Sequence, residues 1–184
     1  AAITYLKNFT QFDIAMWGEG ENPLLHLTEK VTDNKLDELS SIGNIAYRVN
    51  GEIITSLIPN REFVDLSSIA IRPDYSEFFD KLECYNVPKQ YALLSFENSR
   101  SCHWKKCHFC YLNMGYKFRK KDIAITLEEI EYSIKKYGVY KIQFLDNDLI
   151  DNDFERFGAF LDGLMAIKEQ YPKFSIVLGE IISH

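Results

Sequence analysis

From Gln90 onward the chain alternates short apolar runs with longer stretches whose apolar residues recur every three or four positions. Tyr91–Phe96 (YALLSF) has the composition of a buried strand. Thr126–Gly138 (TLEEIEYSIKKYG) sets Leu127, Ile130, Ile134 and Tyr137 on one helical face. Thr126 is its expected N-cap, Glu129 completes a capping box, and Gly138 is the stop. Val139–Leu145 (VYKIQFL) predicts the next strand, and the acidic stretch DNDLIDND predicts the loop after it. A second amphipathic helix, FERFGAFLDGLMAIKEQ, ends near Pro172, and Phe174–Glu180 (FSIVLGE) predicts a third strand. Strands that alternate with helices imply βαβ units and a parallel sheet. Such a sheet collects its chemistry at the C-terminal ends of its strands.

The first 88 residues are less regular. Phe12–Trp17 is a short apolar run, and a helix is expected from Pro23 to about Val31. Asn44–Ser56 reads as a hairpin, because two β-rich runs flank Asn50-Gly51, the dipeptide favoured by a type I′ turn. Residues 58–88 are punctuated by Pro and Asp and read as a linker with one short helix.

Hydrophobic residues make up 46% of the 184 and charged residues 26%, enough apolar material for a real core. A net charge of −6 argues against nucleic acid or an anionic membrane as partner. The basic patch Lys117–Asp122 (KFRKKD) is local and reads as a solvated loop face. No apolar run approaches the length of about eighteen residues that crosses a bilayer, and no signal peptide is evident. A cytoplasmic protein is expected. The chain opens without Met and stops just past a core strand, which predicts a piece of a longer protein. An unpaired strand edge at Phe174–Glu180 would then make the piece prone to self-association.

Three of the four cysteines fall within nine residues, in SCHWKKCHFC: Cys102, Cys107 and Cys110. Thiols so close make poor disulfides, and reduced clustered thiols usually hold metal. The spacing admits a zinc ion with one further ligand from Cys84, His103 or His108, or an iron–sulfur cluster. No second CxxC pair completes a zinc knuckle. Cys84 reads as a buried small hydrophobe, and His103 and His108 as bystanders.

The loop SRSCHWKKCHFCYLN resembles the cluster loop of radical S-adenosylmethionine (SAM) enzymes. Its extra residue in the first gap, and its CxWxxCxFC form, resemble the cobalamin (B12)-dependent class. In the N-terminal third, DIAMWGEGENPLLHL and GNIAYRVNGEII are similar to the end of that class's B12-binding domain and the hairpin that follows. The resemblance implies an α/β fold: a partial (β/α) barrel over residues 89–184, a linker over 58–88, and the end of a cobalamin-binding-like domain over 1–57. It implies a [4Fe–4S] cluster on Cys102, Cys107 and Cys110, whose open iron binds SAM and cleaves it reductively with an electron from an external donor. Methyl transfer or cyclisation of a small-molecule substrate would follow. Phe109 stands where the family has an aromatic between the last two cysteines. The family's GGE-like SAM contact is absent after Leu145. Asp146 or Asp148 replaces it, or else these acids cap the next helix. Glu180 lines the same edge, or merely punctuates a strand end. The cobalt-ligating DxHxxG motif is also absent, so cobalamin is expected of a full-length protein only. The rival reading is a zinc-stabilised, non-catalytic binding module. No catalytic residue is assigned.

Overall fold

The computed structural model describes residues 2–56, 58, 63–67, 73–110 and 117–178. The chain divides between Val64 and Asp65 into two compact units.

The first unit contains α1 (Ala2–Asn8), β1 (Ile14–Met16), α2 (Glu21–Thr32), β2 (Ile45–Val49) and β3 (Glu52–Thr55). Asn50 (φ 51°) and Gly51 (φ 87°) both lie in the left-handed region, which is what a type I′ turn between β2 and β3 requires. The apolar run before Trp17 becomes β1, which joins the hairpin as a third antiparallel strand with Ile14 opposite Tyr47. Leu39, Ile42, Ile45 and Tyr47 form a small core, with Ile14, Met16 and Leu27 packed on it. Arg48 donates to the carbonyl oxygen of the buried Leu6 and so ties β2 to α1.

The second unit contains α3 (Ser76–Cys84), β4 (Leu94–Phe96), β5 (Ser99–Arg100), β6 (Arg119–Lys120), α4 (Ile123–Tyr137), β7 (Lys141–Phe144), α5 (Phe154–Gln170) and β8 (Ser175–Leu178). The parallel sheet expected from the pattern is present, in the order β4-β7-β8. Leu94, Phe96, Ile142 and Phe144 bury one sheet face against Ile130 and Ile134 of α4 and Phe160, Leu164 and Ile167 of α5. Phe79 of α3 joins this core, its ring stacked 5.0 Å from that of Tyr137. β4 begins later than the apolar run does, because Lys89–Tyr91 forms a 3-10 turn after Pro88.

The start of α4 corrects the expected cap. Asp122, not Thr126, is the N-cap, and its carboxylate accepts the Ala124 N–H at 2.7 Å. Thr126 is fully buried within the first turns and donates to Asn98 Oδ1 at 3.2 Å. Glu129 pairs with Lys121 at 2.6 Å instead of folding back on the helix end. Gly138, at φ 68°, ends α4 as expected, and its N–H reaches the Ile134 carbonyl at 2.9 Å.

Candidate metal centre

The cysteine loop leaves the C-terminal end of β4 and is pinched at its base. Ser99 pairs with Lys120 and Arg100 with Arg119, so β5 and β6 form a two-residue antiparallel neck. The acidic loop after β7 lies beside this neck and grips both limbs. On the entering limb, Asp146 accepts the N–H groups of Asn98 (3.1 Å) and Ser99. On the returning limb, Lys120 pairs with Asp153 at 2.8 Å and with Asp151 at 3.4 Å. Lys120 and Lys121 are therefore engaged by carboxylates, which corrects the reading of this patch as a solvated face.

Asn98, fully buried, is the hub beneath the neck. Its backbone oxygen accepts the Lys121 N–H at 2.9 Å. Its side-chain oxygen accepts from Thr126 at 3.2 Å and from Arg156 at 3.1 Å. Arg156 also donates to the Lys121 carbonyl at 2.8 Å, so the first turn of α5 braces the same point. That turn is capped by Asp153, which accepts the Arg156 N–H at 3.1 Å.

Above the neck, Ser101 turns the chain with φ at 75° and is buried. Its hydroxyl has no hydrogen-bond partner among the described residues, which leaves a donor beside the first thiol. Cys102 follows, then His103, whose N–H (3.0 Å) and ring Nδ1 both bond to Asp148 Oδ2. A carboxylate only accepts, so Nδ1 carries the proton. Asp148 is 0% exposed, and its second oxygen accepts the Asp151 N–H at 3.0 Å. Cys107 and Cys110 belong to a tight turn in which the Cys110 N–H reaches the Cys107 carbonyl at 3.1 Å. All three thiols are half-buried and outside any disulfide. Phe109, between the last two, is 93% exposed. The Lys106 ammonium sits 4.5 Å from the centre of the Trp104 ring.

Burial pushes the Asp146 carboxyl up to about 6, in spite of its hydrogen bonds. Burial acts on Asp148 too, but there the His103 and Asp151 hydrogen bonds outweigh it and hold the carboxyl below the usual range. Burial raises the Cys102 thiol, the N–H groups of Trp104 and Lys105 oppose the rise, and the nearby Asp148 charge adds to it. A metal bound at Cys102 would displace a proton.

The structure thus brings Cys102, Asp146 and Asp148 together at one strand edge. Cys107, Cys110 and Phe109 lie further out on the same loop, and Glu180 falls outside the described residues. His103, read as a bystander, is instead the contact between the thiol loop and the acidic loop. Cys84, expected to be buried, is exposed at the end of α3, because that helix buries Phe79 and Cys84 lies off that face. Among the described residues no three His, Cys, Asp or Glu side chains converge on one ion position. A cubane cluster offers each thiolate a separate iron, so its ligands need not share a single point. Three thiols on one loop meet that demand, whereas a zinc tetrahedron would need a fourth ligand beside them.

No family model matches the chain. An uncharacterized methyltransferase of Pyrococcus horikoshii is 27% identical over 141 residues, which are 73% of this chain and 28% of the relative. Among solved structures, the radical S-adenosylmethionine methyltransferase TsrM from Kitasatospora setae, with tryptophan substrate and aza-SAM bound, aligns at a TM-score of 0.63 and 14% identity. That alignment covers 95% of this chain and 34% of TsrM. A second TsrM structure, with cobalamin and a [4Fe–4S] cluster bound, aligns at 0.64 and 13% identity, over 95% of this chain and 35% of its own. The cobalamin-dependent S-adenosylmethionine radical enzyme OxsB, with aqua-cobalamin and S-adenosylmethionine bound, aligns at 0.65 and 19% identity, over 89% of this chain and 23% of OxsB. The chain therefore spans only 23% to 35% of the length of these relatives. In fold, it is like the cobalamin-dependent radical SAM enzymes, the class that its cysteine loop resembles.

Proposed function

We propose that this chain carries the SAM-binding, cluster-ligating part of a radical SAM methyltransferase. Cys102, Cys107 and Cys110 hold a [4Fe–4S] cluster, and Phe109, Asp146, Asp148 and Glu180 line the SAM site. The observation that carries the reading is the placement of three thiols on one loop at the C-terminal edge of a parallel sheet. When bound, the cluster supplies the electron that cleaves SAM. The chain's own part is to fix the loop, through Asp146, Asp148 and Lys120, and to expose Phe109 toward incoming SAM. Methyl transfer is favoured over cyclisation because the Pyrococcus horikoshii relative and TsrM are both named methyltransferases. Residues 1–57 are assigned to the end of a cobalamin-binding domain, 58–88 to a linker and 89–184 to the barrel. A small-molecule substrate and an external electron donor complete the reaction, with cobalamin held elsewhere in a longer protein.

Anaerobic reconstitution with iron and sulfide tests the ligand set. About four irons per chain are expected. Cys107→Ala should abolish uptake, and Cys84→Ala should leave it unchanged. Zinc uptake without iron would overturn the reading in favour of a structural metal site. Iron uptake that survives Cys107→Ala would show that the ligands are misassigned.

A further inference from the structure

We propose that Asp148 and His103 form a positioning pair that sets Cys102 for cluster ligation. The inference rests on the cluster reading above and goes beyond it, because that reading gives His103 no part and gives Asp148 none in setting a cluster ligand. Cys102 lies between two fixed points. On its N-terminal side, Ser101 is buried in a left-handed conformation, and the Ser99 hydroxyl donates to the Asp148 carbonyl oxygen at 2.7 Å. On its C-terminal side, the His103 N–H and Nδ1 both meet Asp148 Oδ2.

The geometry explains why two bonds are needed. A peptide unit is planar, so the direction of the His103 N–H constrains the plane that joins Cys102 to His103. One hydrogen bond alone would still let that plane rock about its acceptor. The ring bond from Nδ1 supplies a second point on the same oxygen and removes that freedom. Asp148 is itself immobilised, since it is fully buried and its other oxygen accepts the Asp151 N–H at 3.0 Å. The backbone of Cys102 is thus set from the loop after β7, a different loop from the one that carries the thiol. Cys107 and Cys110 are shaped by their own turn. Groups that orient a metal ligand from behind typically change metal affinity ten- to a hundredfold when removed.

The test uses full-length protein, reconstituted anaerobically with iron and sulfide. Its readouts are the rate of iron release to a chelator and the EPR spectrum of the reduced cluster. His103→Ala and Asp148→Asn should each bind iron but release it roughly ten- to a hundredfold faster, with an altered spectrum. His103→Asn should restore both readouts, because its side-chain nitrogen reaches about as far as Nδ1 does. The double variant His103→Ala with Asp148→Asn should be no worse than either single change, as expected of two residues acting as one unit. His103 is partly exposed, so the metal-free His103→Ala protein should melt like wild type. Release rates and spectra unchanged in His103→Ala would overturn the pair while leaving the cluster reading intact. A lowered melting point, with no rescue by His103→Asn, would assign the contact to fold stability and overturn the proposal. A wild-type protein that takes up no iron would overturn the cluster reading, and this inference with it.

Discussion

Asp146 and Asp148 stand two positions apart in one loop, yet their surroundings move their acidities in opposite directions. For Asp146 burial wins, and the folded carboxyl titrates near 6 instead of its ordinary 3.8. The folded state then holds that proton more tightly than the unfolded chain does. Its contribution to stability is full below about pH 4 and is lost as pH rises through about 6. Urea unfolding of the metal-free protein across this window should show the loss, and Asp146→Asn should flatten it. Equal slopes in the two proteins would mean that the group is better solvated than its burial suggests. Asn98 offers a second test, because its side-chain oxygen accepts from both Thr126 and Arg156. Asn98→Ala should cost about 1–3 kcal/mol in a thermal or denaturant melt. A change within experimental error would show that those donors find other acceptors. The cysteine loop stands out in the sequence because three thiols in nine residues have few structural uses. Asn98, His103 and Arg156 do not, since their partners depend on which strand end lies alongside, and periodicity does not carry that information.

At the scale of elements, the parallel sheet and the helices α4 and α5 were legible, because each helix shows its apolar stripe and each strand lies in a compact apolar run, whereas β5 and β6 are polar and carry no such signal. What the pattern missed were the ends. A Thr-x-x-Glu match suggested a helix starting at Thr126, but Ile123 and Ile125 already continue the helix and Asp122 supplies an earlier cap. The contact between α4 and α5 was equally hidden. A Cβ on Gly163 would lie 2.2 Å from Leu127 Cδ1, so the absence of a side chain there is what lets the helices approach. Gly163→Ala should therefore destabilise the protein, with overpacking of about 1–3 kcal/mol only partly offset by a helix-propensity gain of about 1 kcal/mol. In a Leu127→Ala background the same change should become stabilising, since only the propensity gain remains. Melting midpoints of the four proteins check this sign reversal, and its absence would mean that Leu127 turns aside at little cost.

At the scale of the molecule, no helix among the described residues is long and apolar enough to cross a membrane. β8 is the outer strand of the described parallel sheet, and Val177 and Leu178 are exposed on it. The Ser175 N–H bonds to the Tyr140 carbonyl at 2.8 Å, so alternation along the strand directs the Leu178 N–H to the open side. If that edge recruits a second copy, Leu178→Pro should weaken self-association in sedimentation velocity without breaking a bond to β7. An unchanged sedimentation profile would place any association elsewhere. The two-residue neck has a different kind of consequence. Because Ser99 faces Lys120, the chain departs from and returns to one place. The length of the span between them is then uncoupled from the spacing of β4 and α4. Closing a longer loop costs only about 0.6 kcal/mol for each doubling of its length. The fourth residue of the first gap, which separates this motif from the commoner three-residue spacing, is therefore almost neutral to folding. A different set of metal ligands, grafted between His103 and Arg119, should therefore seat on the same base and leave the sheet undisturbed, because the contacts of Ser101 and His103 to the base are kept.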